Sequence, residues 1–267
     1  MKHSIHPCSS QEDAPYLILS SGLGGHSSFW LHQVDTLCQH FHVLTYDQEG
    51  CHQDSALLPA HYHMCDMATQ VLHLLEHLQI HEFHMIGHAL GGIIGMELAK
   101  QLQSSSITML SLTLINAWDE LDAHTQKCFD ARIALLASAG AEAYVRAQAL
   151  FLYPPAWISQ NHSHIKNTED IQLQNFPPKT NVFARLKALM DFQLQPLHVE
   201  ALQNVPLHII ANNDDFLVPV QKSHDLFRQL GHGQLSILTT GAHASTVTEP
   251  QLLNHTLTQF FYNSRIL

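Results

Sequence analysis

Met85-Ile86-Gly87-His88-Ala89-Leu90-Gly91-Gly92-Ile93-Ile94-Gly95 carries the plainest signal in the chain. An apolar segment, Phe83 to Ile86, enters a glycine-punctuated turn and leaves it as a helical pattern. This is the outline of the G-x-S-x-G elbow, a strained strand-to-helix turn that lifts a serine hydroxyl above a sheet edge. Gly87 and Gly91 stand where a Cβ would collide with a neighbouring strand or helix. The serine position, however, holds Ala89, and a methyl group attacks nothing. Three readings are open. A serine was replaced to trap a ligand, a protein of this shape has stopped catalysing, or the chemistry needs no side-chain nucleophile.

Outward from the elbow, Tyr16-Leu17-Ile18-Leu19 reads as a buried strand feeding the glycine-rich loop Ser20-Ser21-Gly22-Leu23-Gly24-Gly25. Ser27 or Ser28 is placed to cap a helix with Trp30, Val34 and Leu37 on its inner face. Residues 41–47 make the next strand, and the 48–63 loop breaks both periodicities. Met67, Val71, Leu74, Leu75 and Leu78 then recur at helical spacing, and residues 111–116 form a strand after the elbow helix. Strands alternating with helices predict an α/β fold: a mostly parallel sheet flanked by helices, with ligands at the carboxyl ends of the strands. From Trp118 to Val205 the alternation stops. Helical patterns at 123–139, 141–152 and 181–192 are punctuated by Tyr153-Pro154-Pro155 and Phe176-Pro177-Pro178. It resumes with strands Leu207–Asn212 and 235–238 and helices 221–230 and 250–262. The expected division is a core of residues 1–117, a helical cap of 118–205 and the rest of the core in 206–267.

Composition narrows the function classes. The formal charge of −11 excludes nucleic acid and anionic membranes as partners. Twenty-three histidines, about a quarter of them protonated at pH 7, bring the net charge to roughly −5 or −6. They are scattered, which assigns most of them to solvated surface. The close pairs His61/His63, His81/His84 and His162/His164 lack a third ligand at a recognisable spacing, and H-E-x-x-H is absent, so neither a metal nor another cofactor is expected. Five cysteines, Cys8, Cys38, Cys51, Cys65 and Cys128, with no C-x-x-C, fit free thiols in a reducing compartment. The N-terminus lacks the apolar run of a signal peptide, and no run approaches the ~18 apolar residues of a membrane span. A soluble cytoplasmic protein acting on a small molecule is expected. Monomer and homodimer both fit the sequence.

The chemistry gathers after the last two strands. Asn213-Asp214-Asp215-Phe216-Leu217-Val218 precedes Pro219, and Gly241-Ala242-His243-Ala244-Ser245 opens the final loop. Elbow, then acid, then histidine is the chain order of α/β-hydrolases, and the sequence resembles that superfamily. His243 is the expected base and Asp215 its partner, preferred over Asp214 as the residue four before the proline. A carboxylate on Nδ1 leaves Nε2 free to take a proton. The oxyanion hole of this architecture uses the backbone N–H after the nucleophile and one from the glycine loop, here Leu90 and Leu23. His88, inside the elbow, reads as structural. Ser21, Trp30, Trp118 and Phe151 are candidate pocket residues. For the aromatics core packing is as good a reading, and Ser21 is as well explained by satisfying its own loop.

More narrowly, the chain is similar to the hydrolase-shaped proteins of the Rut pyrimidine-degradation pathway. Carrying this are Ser21-Gly22-Leu23-Gly24-Gly25, Gly87-His88-Ala89-Leu90-Gly91, Phe151-Leu152-Tyr153-Pro154 with Trp157, Asp214 to Pro219, and Gly241-Ala242-His243-Ala244. The alanine elbow is the most specific of these, and it favours a natural nucleophile-free site over a replaced serine. The resemblance implies a late step of uracil breakdown, hydrolysis of carbamate to ammonia and carbon dioxide or bicarbonate, or else hydrolysis of aminoacrylate. One departure is plain: hydrolases commonly carry Asp-x-Arg-Gly after the second parallel strand, and here it is Asp47-Gln48-Glu49-Gly50. The missing serine itself argues for a labile substrate. A triad stripped of its members retains ~10³–10⁴ over water, about 4–5.5 kcal/mol, which suffices only where the substrate already decomposes unaided. The rivals are a non-catalytic binding protein and an esterase whose nucleophile has moved to Ser21 or Ser245.

Overall fold

The computed structural model describes residues 1–267. Its seven strands are β1 (His3–His6), β2 (Tyr16–Ser20), β3 (His42–Tyr46), β4 (Glu82–His88), β5 (Thr108–Ile115), β6 (Leu207–Asn212) and β7 (Gln234–Leu238). They form one sheet in the order β1-β3-β2-β4-β5-β6-β7, parallel except for β1 on β3. Unbroken apolar runs become strands buried on both faces because helices cover both sides of a parallel sheet. The period of two divides the core. Leu17, Leu19 and Val43 face one cluster with Trp30, Leu37, Leu253, Leu257 and Phe261. Ile18 and Leu44 face the other, with Met67, Val71, Ile93 and Leu226. Each fully buried aliphatic side chain contributes ~1.5–3 kcal/mol. The first face is covered by α1 (Leu31–Leu37) and α11 (Pro250–Asn263). The second is covered by α2 (Met64–His77), α3 (Leu90–Leu102) and α10 (Val220–Leu230).

One local expectation is corrected, and one strand lies outside every expectation. The chain after β2 enters a 3-10 turn, Ser27–Trp30, whose N-cap is His26 and which has no side-chain cap. Ser27 instead donates its N–H to Asp47 Oδ1 at 2.7 Å. The N-terminal residues also add β1, an edge strand of mostly exposed residues with no apolar pattern to reveal it.

Only helices stand between β5 and β6: α4 (Ala123–Ala134) continuing into a π turn (Leu135–Ala139), α5 (Gly140–Leu152), α6 (Pro155–Gln160), α7 (His162–Gln174), α8 (Lys179–Met190) and α9 (Pro196–Leu202). Sequence periodicity finds α4, α5 and α8 but not α6, α7 or α9. In α7 only Ile165 is buried, so no apolar stripe marks it. No helix of the structure is long and apolar enough to cross a membrane.

The chain leaves β2 toward β3 and returns to the other side of β2 as β4, so the strand order reverses there. Ser20 pairs in register with Gly87. The crevice at the carboxyl ends of these strands is the ligand position of open α/β sheets, and it lies between the glycine loop and the elbow.

Candidate active site

The elbow is a backbone device. Ala89 has φ 48° and ψ −111°, a conformation that strains any residue with a side chain. The surroundings hold it there: its N–H donates to Ile115 O at 2.8 Å, and its carbonyl accepts from Gly92 and Ile93. A Cβ on Gly91 would stand 2.0 Å from Ser20 O, and one on Gly87 would stand 2.3 Å from Gly91 O. The glycines thus let the helix start sit directly against β2. Leu90 opens α3, where the first N–H groups have no intrahelical partner. Across the crevice, Gly25 N–H donating to Gly22 O at 3.0 Å closes the glycine turn and leaves the Leu23 N–H free.

The final loop brings the histidine in. His243 Nδ1–H donates to Asp215 Oδ2 at 2.7 Å, with both side chains buried. Asp215 Oδ1 accepts from the N–H groups of Leu217 and Val218 at 2.8 and 2.9 Å, so three donors fix the carboxylate. Asp214 does something else: its carboxylate accepts from Gly241 and Ala242 N–H and braces the histidine loop. The His243 carbonyl accepts from Asn116 Nδ2 at 2.9 Å and from His88 Nε2–H at 2.7 Å. His88, packed edge to face on His243, is therefore a neutral strut. Burial, with the neighbouring His243, pushes its pKa down to about 3. His243 Nε2 carries no protein hydrogen bond and is available to a ligand.

Glycine loop, elbow and His243 line a cavity of about 720 Å³. Ser21 and Trp118 also line it, and the Ser21 hydroxyl is buried without a partner. Trp30 does not: it lies fully buried among Leu17, Leu19 and Ile86, on the far face of the sheet. Phe151 also stands back from the cavity, packed between Phe216 and the Arg132 guanidinium. Neither Ser21 nor Ser245 is hydrogen-bonded to His243; Ser245 Oγ too is buried without a partner.

The cavity's strongest electrostatic feature was not anticipated. Arg132 of α4 and Arg185 of α8 both line it, both are buried, and neither is in an ion pair with a carboxylate. Arg132 donates to Tyr144 Oη and Gln148 Oε1 at 3.2 and 3.1 Å and lies over the Phe129 and Tyr144 rings. Arg185 donates to Gln48 Oε1, and Gln48 in turn donates to Ser21 O at 2.7 Å. Burial lowers the Arg185 pKa from its ordinary value, and the Nε of each arginine lacks a partner. Where hydrolases commonly carry an arginine in the 47–50 loop, this chain brings one from α8 to the same loop. A signal existed: Val182, Arg185, Leu186 and Leu189 share one helical stripe, so the arginine sits where a core residue is expected.

Comparison with known proteins agrees with this geometry. A family model described as the alpha/beta hydrolase fold matches residues 15–250. A protein of Acinetobacter baylyi named "Putative carbamate hydrolase RutD" is 51% identical over 255 residues, spanning 96% of this chain and 96% of its own. One of Agrobacterium fabrum with the same name is 40% identical over 260 residues, spanning 97% of each. Among solved structures, the enol-lactonase of Burkholderia xenovorans LB400 superposes with a TM-score of 0.84 over 98% of this chain and 96% of its own, at 21% identity, a likeness of fold alone. The chain belongs to the α/β-hydrolase family and, within it, to the RutD group.

Proposed function

We propose that this protein is a hydrolase that speeds the breakdown of carbamate to ammonia and bicarbonate or carbon dioxide, with water rather than a side chain as the attacking group. The observation that carries the reading is the pair of buried arginines without carboxylate partners. An ion taken out of water costs several kcal/mol unless it is compensated. Two such cations on one cavity, beside a histidine with a free Nε2, favour a small anionic ligand, and carbamate is one. The relatives' printed name supports the same substrate. By the resemblance, the reaction falls late in uracil breakdown.

The residues divide the work by what each atom can do. Arg185 and Arg132 hold the carboxylate of the substrate, and residues 118–205, which supply both, act as the cap over the strand edge. His243 Nε2 takes a proton from water as the water oxygen bonds to the carbamate carbon. The N–H groups of Leu23 and Leu90 receive the charge that develops on oxygen. The C–N bond then breaks as His243 returns the proton to nitrogen, so carbamate and water give ammonia and bicarbonate with no covalent enzyme intermediate. Asp215 keeps the imidazole in the tautomer this requires. Ala89 leaves room where a serine would stand.

The test compares substrate classes. The protein is expected to accelerate ammonia release from freshly generated carbamate and to leave a small activated ester at its background rate, unlabelled by fluorophosphonate. Ester turnover with labelling at Ser21 or Ser245 would overturn the reading in favour of an esterase with a displaced nucleophile.

A further inference from the structure

A second cluster of chemistry-bearing side chains lies on the cavity wall. His26 comes from the loop after β2, and Cys51 and His52 come from the loop after β3; all three line the cavity. Their ligand atoms lie within 4.8 Å of one another. His26 Nδ1 is 3.9 Å from Cys51 Sγ, and the His26 and His52 rings meet edge to face at 4.9 Å. In a tetrahedral zinc site, with Zn–S ~2.3 Å and Zn–N ~2.0–2.1 Å, sulfur and nitrogen stand about 3.6 Å apart. His26 and Cys51 are already within a few tenths of an ångström of that. His52 has to close by up to about 1.5 Å from the 4.8 Å limit, a movement that side-chain torsions supply.

The surroundings suit an ion. His52 Nε2–H donates to Asp47 Oδ2 at 2.9 Å, which puts the ring's lone pair on Nδ1, and Asp47 is itself fixed by the Ser27 N–H. A carboxylate behind an imidazole is the arrangement that orients metal-binding histidines. The two loops are tied by Gln48 N–H donating to Gly25 O at 2.8 Å. Gly25, at φ +80°, permits the approach: a Cβ there would stand 2.8 Å from Cys51 Cβ. A thiolate at Cys51 and the Asp47 carboxylate balance a divalent charge; burial pushes the free Cys51 thiol up to about 11, and the Arg185 cation beside it works the other way, so it is the metal that has to draw off the proton. Two imidazoles and one thiolate select a borderline-soft ion.

We propose that His26, Cys51 and His52 form a Zn²⁺ site whose fourth position opens on the cavity, for water or a substrate oxygen. On binding, the sulfur–zinc bond replaces S–H and the thiol proton goes to solvent. The inference does not rest on the carbamate reading, because its test reads the ion and not turnover. Chelator-treated full-length protein is titrated with Co²⁺ and followed by absorption. One equivalent is expected to give thiolate-to-cobalt charge transfer in the near ultraviolet and the strong visible bands of a four-coordinate ion, both displaced by Zn²⁺. Cys51→Ser should abolish the charge-transfer band, and His26→Gln and His52→Asn should each weaken binding at least tenfold. His52, only partly buried, keeps the test decisive should Cys51→Ser fail to fold. Binding without a thiolate band would place cobalt on surface histidines and overturn the proposal. A band that survives Cys51→Ser would assign it to another cysteine and overturn it equally, as would no binding at all.

Discussion

Acid should unfold this protein by way of three buried histidines. His84 and His208 are pushed down by burial to about 4, and His88, by burial and then by His243, to about 3, from an ordinary 6.5. All three lie inside the sheet's strands, His84 bonded to Ser111 Oγ and His208 to Ser236 Oγ. Folded-state values lie below unfolded ones, so the stability these groups confer is present in full above about 6.5. It is lost as the pH falls from there toward 3–4. At pH 5 the unfolded imidazoles are protonated and the folded ones still neutral. Each therefore costs about 2 kcal/mol relative to pH 8, and the three together about 6 kcal/mol, against a typical total of ~5–15 kcal/mol. Carboxylates hardly contribute above pH 5, and His26, whose pKa burial also lowers, adds to the loss in the same direction. Urea melts at pH 8, 6.5, 5.5 and 5 should show the unfolding free energy dropping at about 4 kcal/mol per pH unit below pH 6, an uptake of about three protons. A slope of one proton or less over that window would refute the burial argument.

Other substitutions address the site. Ala89→Ser should fold, at a cost well under ~1 kcal/mol because the turn is set by the backbone and the added hydroxyl meets open cavity. It should gain fluorophosphonate labelling and an acyl-enzyme burst with an activated ester while gaining nothing on carbamate; a folded variant that never acylates would mean that His243 and the two amides are not aligned on the elbow. Gly91→Ala should unfold the elbow or yield insoluble protein, since its Cβ would meet the Ser20 carbonyl at 2.0 Å, and normal expression and melting would contradict that contact. Arg132→Met should raise KM for carbamate tenfold or more, about 1.4 kcal/mol, while the thermal midpoint stays level or rises, because a buried charge with no carboxylate partner has been replaced by an apolar side chain of similar length. An unchanged KM would take Arg132 out of substrate recognition.

What could be read in the sequence was what one segment carries alone. The elbow was legible because Gly87, Ala89 and Gly91 stand at fixed spacing between a strand run and a helix pattern. Asp215 and His243 were legible because each follows a recognisable strand, and the structure places them 2.7 Å apart. Trp30 stayed open between pocket and core because an inner-facing aromatic near a ligand loop packs equally well beneath the sheet, where it lies. β1 and α7 lack apolar periodicity and form through tertiary pairing. Arg132 and Arg185 were hidden because a cation on a helical stripe gains meaning only once the cavity is drawn. His26 and Cys51 are 25 residues apart and meet only because β2 and β3 pair and deliver their loops side by side.

On the proposed function, this cavity hydrolyses carbamate with His243 and without a side-chain nucleophile. The most direct measurement is stopped-flow ammonia release from freshly generated carbamate with no protein, with wild type and with His243→Ala. Wild type should exceed the uncatalysed rate by at least ~10³–10⁴-fold, the range that oxyanion hole and binding alone leave to a site without its triad. The alanine variant, its fold checked by circular dichroism because His243 is buried against Asp215 and His88, should lose the share owed to proton transfer, roughly 10²-fold or more. Three superimposable traces would contradict the account, and a wild-type rate in His243→Ala would remove the proton transfer on which it rests.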